Sequence, residues 1–180
     1  MKLRKIAFLL LVSVVTLATI SGSVVAYMIK RTQFQENTFT PAVVTCELHE
    51  VKNADTTRKT SITVENTGNV NAYMRVRLVS YWVDPATGAI AAKPSPDVSF
   101  TPGSGWVAGS GGNTYYYQAP VAPGDTTNEL LGSEITLTSL DGLVQVVEVF
   151  AEAIQAQPTT AVTDSWGVTL GSSGDVISAP

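Results

Sequence analysis

The chain has 180 residues, 44% of them hydrophobic and 14% charged, a composition that excludes a disordered polymer and favours a folded body. Eleven basic residues against fifteen acidic ones disfavour nucleic acid and anionic membrane surfaces as partners. The single cysteine, Cys46, excludes an internal disulfide and a cysteine-rich zinc site.

Lys2, Arg4 and Lys5 precede an uncharged run from Ile6 to Ile29. As a helix these residues would extend about 36 Å, enough to cross a hydrocarbon core of roughly 30 Å. Small residues at Ser21, Gly22 and Ser23, with Val24 and Ala26 at the −3 and −1 positions, also fit a signal cut between Ala26 and Tyr27. A cleaved signal is the favoured reading over a retained anchor. In both, the basic flank stays in the cytoplasm and the remainder is exported, secreted or held at the cell surface, touching the membrane only through this N-terminal segment. Cleavage would leave eight basic and fifteen acidic residues, a net charge of −7.

Residues 27–41 are expected as an extended arm, with Phe34 and Phe39 its large apolar side chains from Lys30 onward. Residues 42–170 are expected to form the body and 171–180 a flexible tail. Within the body, Ala42–Lys52 alternates as a strand, placing Val44, Cys46 and Leu48 on one face and Thr45, Glu47 and His49 on the other. Cys46 is expected to be a buried small hydrophobe.

Lys59–Asp84 is the organising stretch. Ile62 and Val64 alternate with polar residues, Asn66-Thr67-Gly68-Asn69 interrupts, and Ala72, Met74, Val76 and Leu78 resume the period of two. Two such runs about one turn predict a β-hairpin or a sharp corner between sheets, with Gly68 and Asn69 supplying positive φ. Asp84-Pro85-Ala86-Thr87-Gly88 closes the second run as a turn.

Ala91–Asn113 reads as a loop, and its glycines lack the Gly-Lys-Ser/Thr pattern, the GxGxxG spacing and the following helix that a phosphate cradle needs. A flexible surface connection is expected. Thr114–Gln118 is a short aromatic strand with Tyr116 buried and Tyr115 and Tyr117 opposite; with Trp106 these two are the candidate exposed aromatics for glycan stacking. Leu130–Leu140 reads as a strand, Asp141-Gly142 as a hairpin turn and Leu143–Gln157 as the longest strand, central and bulged. Glu148 or Glu152 is expected across from Arg75 or Arg77 as a register pair. Thr159–Gly167 has room for one helical turn.

Short strands separated by Gly, Pro and Asn turns predict an all-β fold, an antiparallel β-sandwich of jelly-roll-like or Ig-like type, preceded by the hydrophobic N-terminal helix. One histidine and no HExxH oppose a catalytic zinc site, and His49 beside Glu47 reads as a solvated or paired side chain. No G-x-S-x-G elbow is present, and nothing singles out two carboxylates as a glycosidase pair. Asp84, Asp97, Asp125 and Asp141 could hold calcium only without EF-hand spacing. No enzyme activity, cofactor or metal is expected.

The signal ending Gly22-Ser23-Val24-Val25-Ala26-Tyr27, with Phe34-Gln35-Glu36-Asn37-Thr38-Phe39, Val64-Glu65-Asn66-Thr67-Gly68-Asn69, Ala72-Tyr73-Met74-Arg75-Val76 and Val149-Phe150-Ala151-Glu152-Ala153-Ile154-Gln155-Ala156, resembles the exported TasA and camelysin-like proteins of Gram-positive bacteria. The resemblance implies processing by a SipW-type signal peptidase. It also implies a biofilm or surface matrix role, with self-association into fibres by donation of the N-terminal strand Tyr27–Thr40, carrying Phe34 and Phe39, to a neighbour. Camelysin-like proteins also carry a metalloprotease description, which the histidine count opposes. The alternative function is a monomeric surface module binding glycan or another surface protein.

Overall fold

A computed structural model describes Lys5 and residues 41–51 and 57–180. The signal or anchor, the Ala26–Tyr27 cleavage point and the arm with Phe34 and Phe39 therefore lie outside the described residues. Residues 41–180 make one compact unit. Its strands are β1 (Cys46–Glu50), β2 (Arg58–Lys59), β3 (Ile62–Asn66), β4 (Ala72–Val83), β5 (Trp106–Ala108), β6 (Thr114–Tyr117), β7 (Ile135–Thr136), β8 (Ser139–Leu140), β9 (Leu143–Gln155), β10 (Thr169–Leu170) and β11 (Val176–Ser178). A helix, α1 (Thr160–Trp166), precedes β10.

The largest sheet is a curled antiparallel one in the order β5-β6-β4-β9-β8, and β1-β3, β2-β7 and β10-β11 form two-stranded antiparallel pairs. The organising stretch is thus a corner and not a hairpin: β3 pairs with β1, whereas β4 pairs with β6 and β9. Alternation along β3 and β4 still sets the core. Ile62, Val64, Met74, Val76 and Leu78 all point into one cluster with Leu130, Ile135 and Val147.

The corner is held by side-chain amides. Asn66 is fully buried; its amide nitrogen donates to the carbonyls of Val70 and Val121, and its oxygen accepts from Gly68 N–H. Asn69 accepts from Val43 N–H at 2.7 Å and donates to the carbonyl of Pro41 at 3.0 Å. Neither Gly68 nor Asn69 has positive φ, contrary to expectation. Gly68 is needed instead because a Cβ there would collide with the Val43 carbonyl oxygen.

The Asp141-Gly142 turn takes φ of 52° and 82°, the left-handed pair that a two-residue hairpin requires, and joins β8 to β9. Leu130–Leu140 does not form a continuous strand; only β7 and β8 are regular there, because Leu130 and Leu131 turn into the core. β9 pairs with β4 over twelve positions without a bulge, and it is not central: outside it lies only β8, opposite Leu143 and Val144. β4 is the central strand.

A second apolar cluster lies on the opposite face of this sheet. Tyr73 and Tyr116 pack there against Val162 and Trp166 of α1, Val168 and Val176. The last ten residues, expected as a flexible tail, instead include β11, whose Val176 is fully buried. The glycine-rich stretch likewise is more than a surface connection: Trp106–Ala108 is an edge strand, and a Cβ at Gly103 would strike the Glu129 carbonyl.

Candidate functional site: the open edge of the long strand

Backbone geometry along β9 follows from its register. Ala156 N–H donates to Asn71 C=O, so the bonded pairs continue through Ile154 with Tyr73, Glu152 with Arg75 and Phe150 with Arg77. The N–H and C=O groups of Val147, Val149, Ala151, Ala153 and Gln155 therefore point away from β4. Among the described residues no strand is hydrogen-bonded to them.

The core faces this edge only partly covered. Val149, Ala151 and Ala153 from β9, with Val44, Cys46 and Leu48 from the β1 segment, are half-buried and pack against the main cluster. Cys46 thus lies on the expected face but is not fully buried. Burial and then the Glu152 charge raise its thiol pKa above the ordinary value. The outer edge of β1 is also without a paired strand among the described residues. The seam between β1 and β9 is accordingly bordered by two strand edges with apolar side chains between them.

Hollows open at both ends of the seam. One, of about 320 Å³, is lined by Ala42, Val70, Asn71, Gln155 and Gln157, where the described chain starts. The other, of about 480 Å³, lies beside Thr57, Lys59, Leu137, Ser139, Gln145 and Val147. Lys59 there is held by Glu50 at 3.0 Å, so the hollow offers no free charge to a ligand. Gln145 is saturated: its oxygen accepts from Thr138 and its nitrogen donates to Ser80 and Asp97.

The register pair occurs as Arg75 with Glu152, directly opposite one another, with the guanidinium 2.5 Å from the carboxylate and 4.7 Å above the Trp166 ring. Glu148 faces Val79 and accepts from the Tyr81 hydroxyl at 2.7 Å, while Arg77 faces Phe150. The candidate exposed aromatics are corrected. Trp106 and Tyr115 are buried in the main core, Tyr117 is half-buried against Trp106, and Tyr116 is buried in the second cluster. Alternation separates the tyrosines as expected, but both faces of the sheet are covered at β6.

His49 pairs with Glu65 at 3.0 Å across β1 and β3. The four aspartates considered for calcium do not converge: Asp84 caps its own turn at Ala86 N–H and Asp141 binds Lys93. Among the described residues no three His, Cys, Asp or Glu side chains assemble as metal donors, and no helix is long and apolar enough to cross a membrane. The seam was missed in the sequence because it depends on which strand lies at the edge, and β9, apolar on both faces, reads as central. No family model, curated protein or solved structure matches the chain.

Proposed function

We propose that this chain is an exported structural subunit of the TasA and camelysin-like kind, a β-sandwich of jelly-roll-like type that polymerises through the β1–β9 seam. Its role is mechanical and not catalytic, at the cell surface or in an extracellular matrix. A SipW-type peptidase cutting after Ala26 frees the segment Tyr27–Thr40, and the seam of the next copy receives it.

The observation that carries this reading is the row of outward backbone groups from Val147 to Gln155 above half-buried Val149, Ala151 and Ala153. A strand laid there gains backbone hydrogen bonds and covers apolar area, which is the physics of strand addition. Lengths agree: nine residues of β9 present about 30 Å of edge, and fourteen residues of arm reach about 46 Å. Half-buried Cys46 and Leu48 would complete the pocket for Phe34 or Phe39.

Electron microscopy of protein beginning at Tyr27 tests the proposal. Filaments are expected, and Ala151→Pro should abolish them while preserving the fold. Its N–H points away from β4, so proline removes no existing ladder bond and only blocks the incoming strand. Deleting residues 27–40 should have the same effect. Filaments that survive both changes would rule out the seam; a monomer at all concentrations would favour a surface binding module.

A further inference from the structure

The face of the large sheet that carries Tyr73 and Tyr116 bears apolar side chains along its whole length with a few charges among them, but the C-terminal segment covers only part of it. Beyond Arg75 the same face of β4 continues with Arg77, Val79, Tyr81 and Val83, opposite Phe150, Glu148, Val146 and Val144. Ile90 adjoins Val83 through an isolated bridge. Val79 is 39% exposed, Val144 39%, Phe150 44% and Ile90 68%. Contiguous apolar exposure on a regular sheet face marks a contact surface.

Two charges on this face suit a copy of itself. Arg77 stands 5.9 Å over the Phe150 ring and makes no ion pair among the described residues. Glu148 accepts only the Tyr81 hydroxyl among the described residues. Register places Arg77 and Glu148 on one diagonal of a four-residue square and Val79 and Phe150 on the other. A two-fold axis along the Val79–Phe150 diagonal stacks those residues on their own counterparts and sets each Arg77 over the other copy's Glu148. Isologous contacts require this self-complementarity.

We propose that two copies of this chain associate face to face through the uncovered half of this sheet, with Val79 and Phe150 on the two-fold axis. The footprint is about 20 Å by 10 Å from strand spacings, well short of the roughly 800 Å² per partner of stable complexes. The contact is therefore weak, and it is independent of strand addition at the β9 edge.

Sedimentation of the full chain, kept in one neutral detergent throughout, reads the association. Arg77→Glu and Glu148→Arg should each raise the dissociation constant about tenfold or more, because two like-charged pairs form per dimer, and the double variant should restore it. Circular dichroism confirms that each variant folds. In a Cys46→Ser background, Val79→Cys should be joined to its counterpart by a short bismaleimide at least about tenfold faster than Val83→Cys, which lies off the axis; opposed sheets about 10 Å apart are too far for a direct disulfide. Failure of the double variant to recover, equal cross-linking rates, or a monomer at every concentration overturns the proposal. So does a Val79→Cys thiol protected from maleimide in the monomer, which would assign this face to the chain's own N-terminal residues. Ala151→Pro should leave this association unchanged, separating its failure from failure of the seam.

Discussion

The side-chain amide of Asn66 donates to the carbonyl of Val121 at 2.8 Å, tying the end of β3 to the segment that leads from β6 across the core. The same residue also binds Val70 C=O and Gly68 N–H, so one buried side chain closes the corner between two sheets. The Asn-Thr-Gly-Asn run acts as a clamp, which explains why it separates two runs of alternating residues without pairing them as a hairpin.

Asn66→Leu should cost about 2–4 kcal/mol, since it strips the Asn66 partner from the Val70 carbonyl and the Gly68 N–H and leaves the Val121 carbonyl with Ala72 N–H alone. Urea denaturation measures it. Asn69→Ala should cost less, about 1 kcal/mol, because its partners at Pro41 and Val43 lie near solvent. Equal losses would show that burial is not what makes Asn66 matter.

Val176→Ala should destabilise the protein by about 2 kcal/mol, because its side chain is fully buried against α1 and Tyr73. Tryptophan fluorescence should red-shift as Trp166 loosens. An effect within error would return residues 171–180 to the status of a tail.

Arg75→Ala should cost about 1–2 kcal/mol, more than an ordinary surface ion pair, since the guanidinium both binds Glu152 and stacks on Trp166. A double-mutant cycle with Glu152→Gln should find a coupling near 1 kcal/mol. A cycle with Trp166→Phe should find a separate, smaller one.

Cys46 should react slowly with iodoacetamide at neutral pH, with a rate midpoint above that of a free thiol. Burial disfavours the thiolate, and Glu152 adds to this, so Glu152→Gln should move the midpoint down slightly. Because the folded pKa is the higher one, the unfolded chain releases its proton first. Stability should therefore fall as pH rises above the ordinary thiol value, and Cys46→Ser should remove that part of the loss. Strand addition at the seam should protect the thiol further, giving assembly a chemical readout.

The residues alone determined the strands with strict alternation and the Asp141-Gly142 hairpin, because side-chain period and turn chemistry are local properties; they offered Glu148 or Glu152 for Arg75 or Arg77, and the β4–β9 register selected Arg75 with Glu152. Which strands become neighbours was decided elsewhere. β3 and β4 part company because Asn66 and Gly68 bind distant backbone. β9 lies near the edge although apolar residues on both its faces suit a central strand. Trp106 and Tyr115 are buried because Phe100, Val121 and Leu130 close over them, contacts made across long stretches of sequence. Edge, seam and uncovered face are relations between elements, and only packing in three dimensions creates them.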